Sequence, residues 1–498
     1  MRHMKTRGTA FFTFGLLTAL SMGQGDPQTV SKIVDEGKNR CQVMKSLTEL
    51  TEKFGPRLTS STNIERASKW MMDQFKKAGC VNVHLEQWGE FPVGFDRGRK
   101  SYGRMVAPER VDFEFTSPSW TEGTRGAVKG KALKAPATAE EFAAAKDAMK
   151  GAWLVYVDST PPQLPRNPNA EISDTLKARL DLEKQFDTAG IAGRVTASRN
   201  ELVITSGNWR IEPENLPKGR RVTVRKSDMD KIAGGMTAGK EVVLEFNLDQ
   251  KWVKGPRPQY NVVAEIKGTE RPDEVVIVSG HFDSWDGPGS TGTCDNGTGS
   301  STALEAARIL NKVGAKPKRT IRFVLWTGEE QGLFGSRGYV SLHEAEMDKI
   351  SAVLVDDGGT NYHGGYVGIE SQKSMMETAF APVAAAFPEM PMQFRTVESM
   401  PRGGGSDHAS FNAVGVPGFF TIESGRSDYN FVHHTQHDNI KYAIPEYLVQ
   451  SSVCHAVVSY NLACADSALP RGPKPTVAPD YSTVPGLDKL KAGKNGKG

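Results

Sequence analysis

The sequence predicts an α/β layered fold on a largely parallel sheet, interrupted by a β-rich insert. Three observations point to it. From Asn261 to Cys464, short apolar runs alternate with stretches at helical spacing. Several of those runs end in carboxylates or histidines, which is where an open α/β sheet presents reactive side chains. Upstream, from Tyr102 to Asn247, the texture changes to short strands and polar loops that carry no such cluster.

The stretch from about Asp26 to Val81 is predicted helical. Cys41, Met44, Leu47, Leu50 and Phe54 recur at helical spacing, and Asn63 to Phe75 keeps that period until Gly79 ends it. Gly55-Pro56-Arg57-Leu58-Thr59-Ser60 is the turn between them. In the insert, Thr160 to Pro168 is a Pro-rich connector, and Ile172, Leu176 and Leu180 mark a helix. The candidate strands beyond it are Val262–Ile266, Glu274–Ser279, Thr320–Trp326, Ala352–Val355 and Gly418–Ile422. The candidate helices are Ser300–Val313, Lys373–Phe387 and Pro445–Cys464. The chain thus divides into a leader (1–23), the first part of the main domain (26–101), the insert (102–247), the rest of the main domain (248–466) and a tail (467–498). That tail is Pro, Gly and Lys with one aromatic, Tyr481, a composition expected to stay disordered.

At 498 residues the chain exceeds one ordinary core, and 38% apolar with 24% charged residues is the balance of a soluble globular protein. The net charge of +4 sits at the ends. Arg2, Lys5 and Arg7 carry +3, and Asp466 to Gly498 holds six basic residues against three Asp, another +3, leaving about −2 on the body. A body of that charge has no basic footprint for nucleic acid. Arg2, Lys5 and Arg7 precede the apolar run from Ala10 to Leu20, and small Ser21 and Gly23 follow it, the pattern of a secretory signal cleaved near residue 23. The run falls short of the roughly 20 apolar residues a membrane span needs, so the mature chain is expected to be secreted or periplasmic and without a span. Five cysteines, an odd number with no Cys-x-x-Cys spacing, imply neither a disulfide framework nor a thiolate metal site. Cys294, beside Asp295, reads as a small buried residue.

The clusters carry the chemistry. Glu274 to Gly280 delivers His281 and Asp283, at a spacing of two along an extended chain. His281 is read as a metal ligand and Asp283 as the carboxylate that takes its other N–H. A glycine-rich loop from Trp285 to Cys294 then reaches Asp295-Asn296-Gly297, and Asp295, with two oxygens, is suited to bridging two cations. Thr320 to Trp326 delivers Glu329-Glu330, of which one would coordinate and the other act as general base. Ile350 to Val355 delivers Asp356-Asp357, of which one would be a ligand. Phe431 to Asp438 supplies His433, His434 and His437 in one loop. Imidazoles and carboxylates without thiolate favour zinc, with cobalt or manganese as substitutes. Two such ions about 3.5–4 Å apart activate a bridging water and stabilise a developing oxyanion.

This set resembles the co-catalytic zinc exopeptidases, peptidase family M28. The likeness is carried by His281-Phe282-Asp283, Asp295-Asn296-Gly297, Thr327 to Ser336, Asp357 and His434-Thr435, with Gly55 to Thr59 upstream and Ser406 to Phe411 downstream. The resemblance implies a three-layer α/β/α fold with a mixed, largely parallel sheet and a protease-associated-like insert. It implies two zinc ions per chain, one on His281 and Asp357, the other on Glu330 and His434, with Asp295 bridging. Glu329 would be the general base and Asp283 an orienting carboxylate. It further implies a homodimer that hydrolyses dipeptides or short unblocked peptides. Ser406-Asp407-His408 is more similar to the aminopeptidase members, which leaves the preferred peptide end open. The alternative chemistry on this fold is a one-zinc glutaminyl cyclase, against which the complete ligand set including His281 argues.

Overall fold

A computed structural model describes residues 24–157, 159–163, 165, 170–403 and 405–495. The expected leader and part of the Pro-rich connector lie outside the described residues. No helix among them is long and apolar enough to cross a membrane.

The main sheet has eight strands: β1 (Val81–Phe91), β2 (Arg257–Ile266), β3 (Arg271–His281), β4 (Arg319–Trp326), β5 (Ile350–Val355), β6 (Tyr362–Gly368), β7 (Gln393–Thr396) and β8 (Gly418–Ser424). Their order is β1-β2-β4-β3-β5-β8-β6-β7. The central four, β4, β3, β5 and β8, are parallel neighbours, while β2 against β4 and β6 against β8 run antiparallel. The sheet is therefore mixed at its edges and parallel where the clusters emerge. Apolar periodicity misses three of the eight strands, β6, β7 and β1. β1 lies at the sheet edge and carries polar Asn82, His84 and Glu86, so it shows no buried run.

Both faces of the central strands are apolar, as burial between two helical layers requires. Val276, Val278, Phe323, Leu325, Ala352 and Leu354 point to one core; Val275, Ile277, Val324, Trp326, Val353 and Val355 point to the other. The first core is covered by α1 (Pro27–Arg40), α2 (Val43–Lys53), α3 (Thr62–Lys77), α4 (Thr298–Lys312), α6 (Glu370–Ala386) and α7 (Pro445–Cys464). The second is covered by α5 (Phe334–Leu342), whose Tyr339 and Val340 are buried there, and by Phe411 from the short helix His408–Asn412. Local sequence explains the helix starts: the Ser61 hydroxyl caps α3 by accepting from Ile64 N–H, and Pro445 opens α7. At the start of α4 a Cβ on Gly299 would lie 2.2 Å from the Asp356 carbonyl oxygen, so this close approach requires glycine.

A second eight-stranded sheet is drawn from residues 102–247 and has its own core, with Trp153, Val155, Val222, Leu244 and Phe246 buried in it. The helix expected around Ile172 to Leu180 is Asp174–Thr188.

The tail departs from expectation. Leu469 is buried in the first main core, and Val484 and Leu487 are buried against Trp88 and Phe91. Glu90 N–H donates to the Pro485 carbonyl (2.9 Å), and α8 (Leu487–Asn495) packs against β1. Three apolar anchors suffice to dock a chain whose average composition reads as disordered. Leu487→Ala should therefore destabilise by about 2–5 kcal/mol, the usual loss for a buried leucine. Chemical denaturation would register it as a lowered midpoint, and an undocked tail would leave the midpoint unchanged.

Candidate metal centre

His281 is the last residue of β3, and its side chain is buried. Nδ1 lies 3.0 Å from the Asp283 main-chain oxygen, an acceptor only, so Nδ1 carries the hydrogen of the neutral ring. Nε2 then turns its lone pair to two carboxylate oxygens, Asp295 Oδ1 at 3.1 Å and Asp357 Oδ1 at 3.0 Å. Three electron-rich atoms facing each other need a cation or a second ring proton. Burial disfavours a charged imidazole, but Asp357 and Glu329 outweigh it and hold the His281 pKa well above its ordinary value.

His434 repeats the arrangement. Its Nε2 is 3.2 Å from Asp295 Oδ2 and 2.8 Å from Glu330 Oε2. Asp295 thus offers one oxygen to each imidazole, and Oδ2 is buried with no hydrogen-bond partner. The Glu330 carboxyl is pushed up to about 7 by burial and by Asp295. His434 is pushed up to about 11, since Glu330 and Asp295 overcome the burial that would lower it. The nearest ligand atoms of His281, Asp295 and Glu330 all lie within 4.8 Å of one another, as do those of Asp295, His433 and His434.

Asp283 has a different partner from the one expected. Its Oδ1 is 3.7 Å from His281 Nδ1, which the main-chain oxygen of the same residue satisfies instead. The carboxylate accepts the N–H of Glu329 on Oδ1 (3.2 Å) and, on Oδ2, the N–H of Glu330 (3.3 Å) and the Thr59 hydroxyl (2.9 Å). Asp283 lies beyond the end of β3, where alternation of side chains no longer holds. It fixes the glutamate turn at the end of β4. Glu329 and Glu330 precede α5 by several residues and are not its exposed first turn.

Asp356 and Asp357 separate cleanly. Asp357 faces His281, whereas Asp356 turns to the Thr302 hydroxyl (2.7 Å) and to His363 Nε2 (3.0 Å). Among the histidines of the last loop, His433 stacks on His434 with ring centroids 3.7 Å apart, and its Nε2 is 3.8 Å from Asp295 Oδ2. His437 stacks on Phe431. Cys294 is buried and free, and its thiol pKa is held well above the ordinary value by burial.

Other residues hold these loops and were given no role from sequence. Arg57 is fully buried, with Nε donating to the Phe282 carbonyl (2.6 Å) and Nη2 to the Gly292 carbonyl (2.7 Å). Asp438 Oδ1 accepts the N–H of Cys294 (2.6 Å) and of Asp295 (3.3 Å), and burial pushes its carboxyl up to about 8. Asp407 is fully buried, and burial likewise lifts it to about 8, with Asp357 and Asp283 adding to the shift. The signal for Arg57 was its place in the Gly55–Thr59 motif, and for Asp438 its place in the histidine loop. From a loop of the 102–247 insert, Thr205 N–H donates to the His434 carbonyl (2.7 Å) and Val203 N–H to Gln436 Oε1 (2.8 Å).

The model of peptidase family M28 matches residues 261–456, the span that carries every cluster from His281 to His434. Carboxypeptidase Q of Mus musculus is 29% identical over 440 residues, covering 87% of this chain and 88% of that protein. Over residues 261–456 the chain is similar to peptidase family M28. It is accordingly a metallopeptidase. Its fold is similar to that of an M28 peptidase precursor from Shewanella amazonensis, with a TM-score of 0.62, 23% identity, and coverage of 90% of this chain and 99% of the other. A zinc aminopeptidase from Bacillus subtilis has the same fold at a TM-score of 0.53 and 19% identity, covering 86% of this chain and 96% of the other.

Two outcomes follow from this geometry. Arg57→Met strands the carbonyls of Phe282 and Gly292 and should cost on the order of 3 kcal/mol, read as a lowered denaturation midpoint. Cation binding must also displace the protons that the carboxylates hold on His281 and His434. Calorimetry at pH 7 in buffers of different ionisation enthalpy should show proton release, and affinity should rise as pH rises towards about 11, the value to which His434 is pushed.

Proposed function

We propose that the chain is a dizinc exopeptidase that cleaves dipeptides or short unblocked peptides. The observation that carries this is Asp295, a buried carboxylate with one oxygen on each of two imidazoles. His281 and Asp357 would hold one ion, Glu330 and His434 the other, and Asp295 both. Two nitrogen donors with carboxylate oxygens and no thiolate suit zinc. Zinc bound there would supply a water of lowered pKa and polarise the scissile carbonyl.

The remaining steps belong to protein groups. Glu329 takes a proton from the attacking water and returns it to the leaving amine nitrogen. Burial raises its carboxyl pKa well above the ordinary range, with Asp357 and Asp407 adding to the shift against the lowering effect of His281. Asp283 positions it by accepting the two N–H groups of the glutamate turn. The 102–247 segment, read as a protease-associated-like insert, holds the His434 loop through Thr205. Residues 1–23 are read as an export signal, and a homodimer fits the likeness to carboxypeptidase Q. An aminopeptidase is the second reading, favoured by Asp407 buried beside Asp357 within Ser406-Asp407-His408.

Zinc-loaded protein lacking residues 1–23 should hydrolyse a free dipeptide, lose that activity to a chelator, and spare the amino-blocked and carboxy-amidated forms. Equal cleavage of the amidated form would make it an aminopeptidase; no cleavage of any form would count against the exopeptidase reading. Glu329→Gln should keep its zinc yet turn over at least about 10²-fold more slowly. Near-normal turnover would remove Glu329 from the role of base.

A further inference from the structure

On the far side of Asp357 from the peptidase centre lies a second cluster that this chemistry does not use. Asp356 follows β5, His363 lies on β6, and His455 is midway along α7. The three are 2%, 0% and 0% exposed, in the layer between the sheet and the first helical face. His363 Nε2 is 3.0 Å from Asp356 Oδ2, and the rings of His363 and His455 have centroids 4.8 Å apart at 67°. One ligand atom from each of the three residues lies within 4.8 Å of the other two.

All four ring nitrogens of His363 and His455 are buried without a hydrogen-bond partner. The short contact of His363 to Asp356 is close enough for a hydrogen bond but lacks its angle. A plain ion pair between Asp356 and His363 would leave His455 with nothing to satisfy either nitrogen, in a place where an apolar side chain would be cheaper. A cation drawn from both rings and the carboxylate satisfies all three at once. Two further donors interact with the cluster, Cys454 with His363, and Glu423 with Asp356 and His363. Cys454 Sγ lies 3.4 Å from the Tyr366 hydroxyl, next to His455 in sequence, and Glu423 Oε2 is buried without a partner.

We propose that Asp356, His363 and His455 form a third metal site, separate from the peptidase centre, which takes a divalent ion of the zinc class and serves a structural role. Two imidazoles and a carboxylate are the donors such an ion prefers, and Cys454 or Glu423 can complete four-coordination. The site is closed to solvent, so no position is open to a substrate. Its ion would clamp the end of β5 to β6 and to α7, and thereby fix the chain that presents Asp357.

The test is the metal content of zinc-reconstituted wild type against His455→Phe, with His455→Asn as a second, smaller replacement. The folded variants should bind one zinc fewer per chain than wild type. The difference is read whether the peptidase centre itself holds one ion or two, so failure of that reading leaves this one decidable. Equal zinc content in folded variant and wild type would overturn the proposal. Should neither variant fold, anomalous diffraction at the zinc edge on wild-type crystals decides: a peak among Asp356, His363 and His455 supports the site, and its absence beside an occupied peptidase centre refutes it.

Discussion

Buried negative charge is the constraint around which this molecule is arranged. Asp283, Asp295, Asp357, Asp407 and Asp438 are all buried within one region, and Glu329 and Glu330 join them. Like charges so close cannot all ionise without compensation, which is why burial lifts Glu330 to about 7 and Asp407 and Asp438 to about 8. The imidazoles of His281 and His434 and the guanidinium of Arg57 are the compensating groups the chain itself provides. Main-chain N–H groups do the rest, two on Asp283 and two on Asp438.

That repulsion also accounts for the scaffold. Flexible loops would let the carboxylates drift apart, whereas three adjacent parallel strands deliver them together at their carboxyl ends. β3 ends in His281, β4 leads to Glu329-Glu330 and β5 leads to Asp357. Each of these strands is fixed by apolar side chains on both faces, so separating the carboxylates would mean disrupting two cores.

Much of this was legible in the sequence because it is local. An apolar run, its end and the carboxylate that follows all sit within a few residues, and the five strands expected in the main domain are present. What was illegible depends on contacts between distant segments. The partner of Asp283 could not be read from its spacing to His281, because it is set by how the β4 turn folds back over Thr59. Asp356 and Asp357 are equivalent as letters and are distinguished only by which face of the sheet each side chain meets. The docked tail was missed because Leu469, Val484 and Leu487 are sparse in a polar stretch, and an average over composition erases them. β1 was missed for the related reason that an edge strand need not be apolar.

The hydrogen bond from Thr205 to the main chain of His434 gives the insert that carries the second sheet an unusual status. A module attached by a linker can be exchanged as a cassette, because its host does not register its orientation. Here a loop of the insert and the loop that carries His434 share an isolated bridge, with Ile204 paired to Thr435. Any swap that tilts the second sheet would carry the His434 loop with it. A graft of the main sheet alone would lack the partner that holds the main chain at His434 and Thr435.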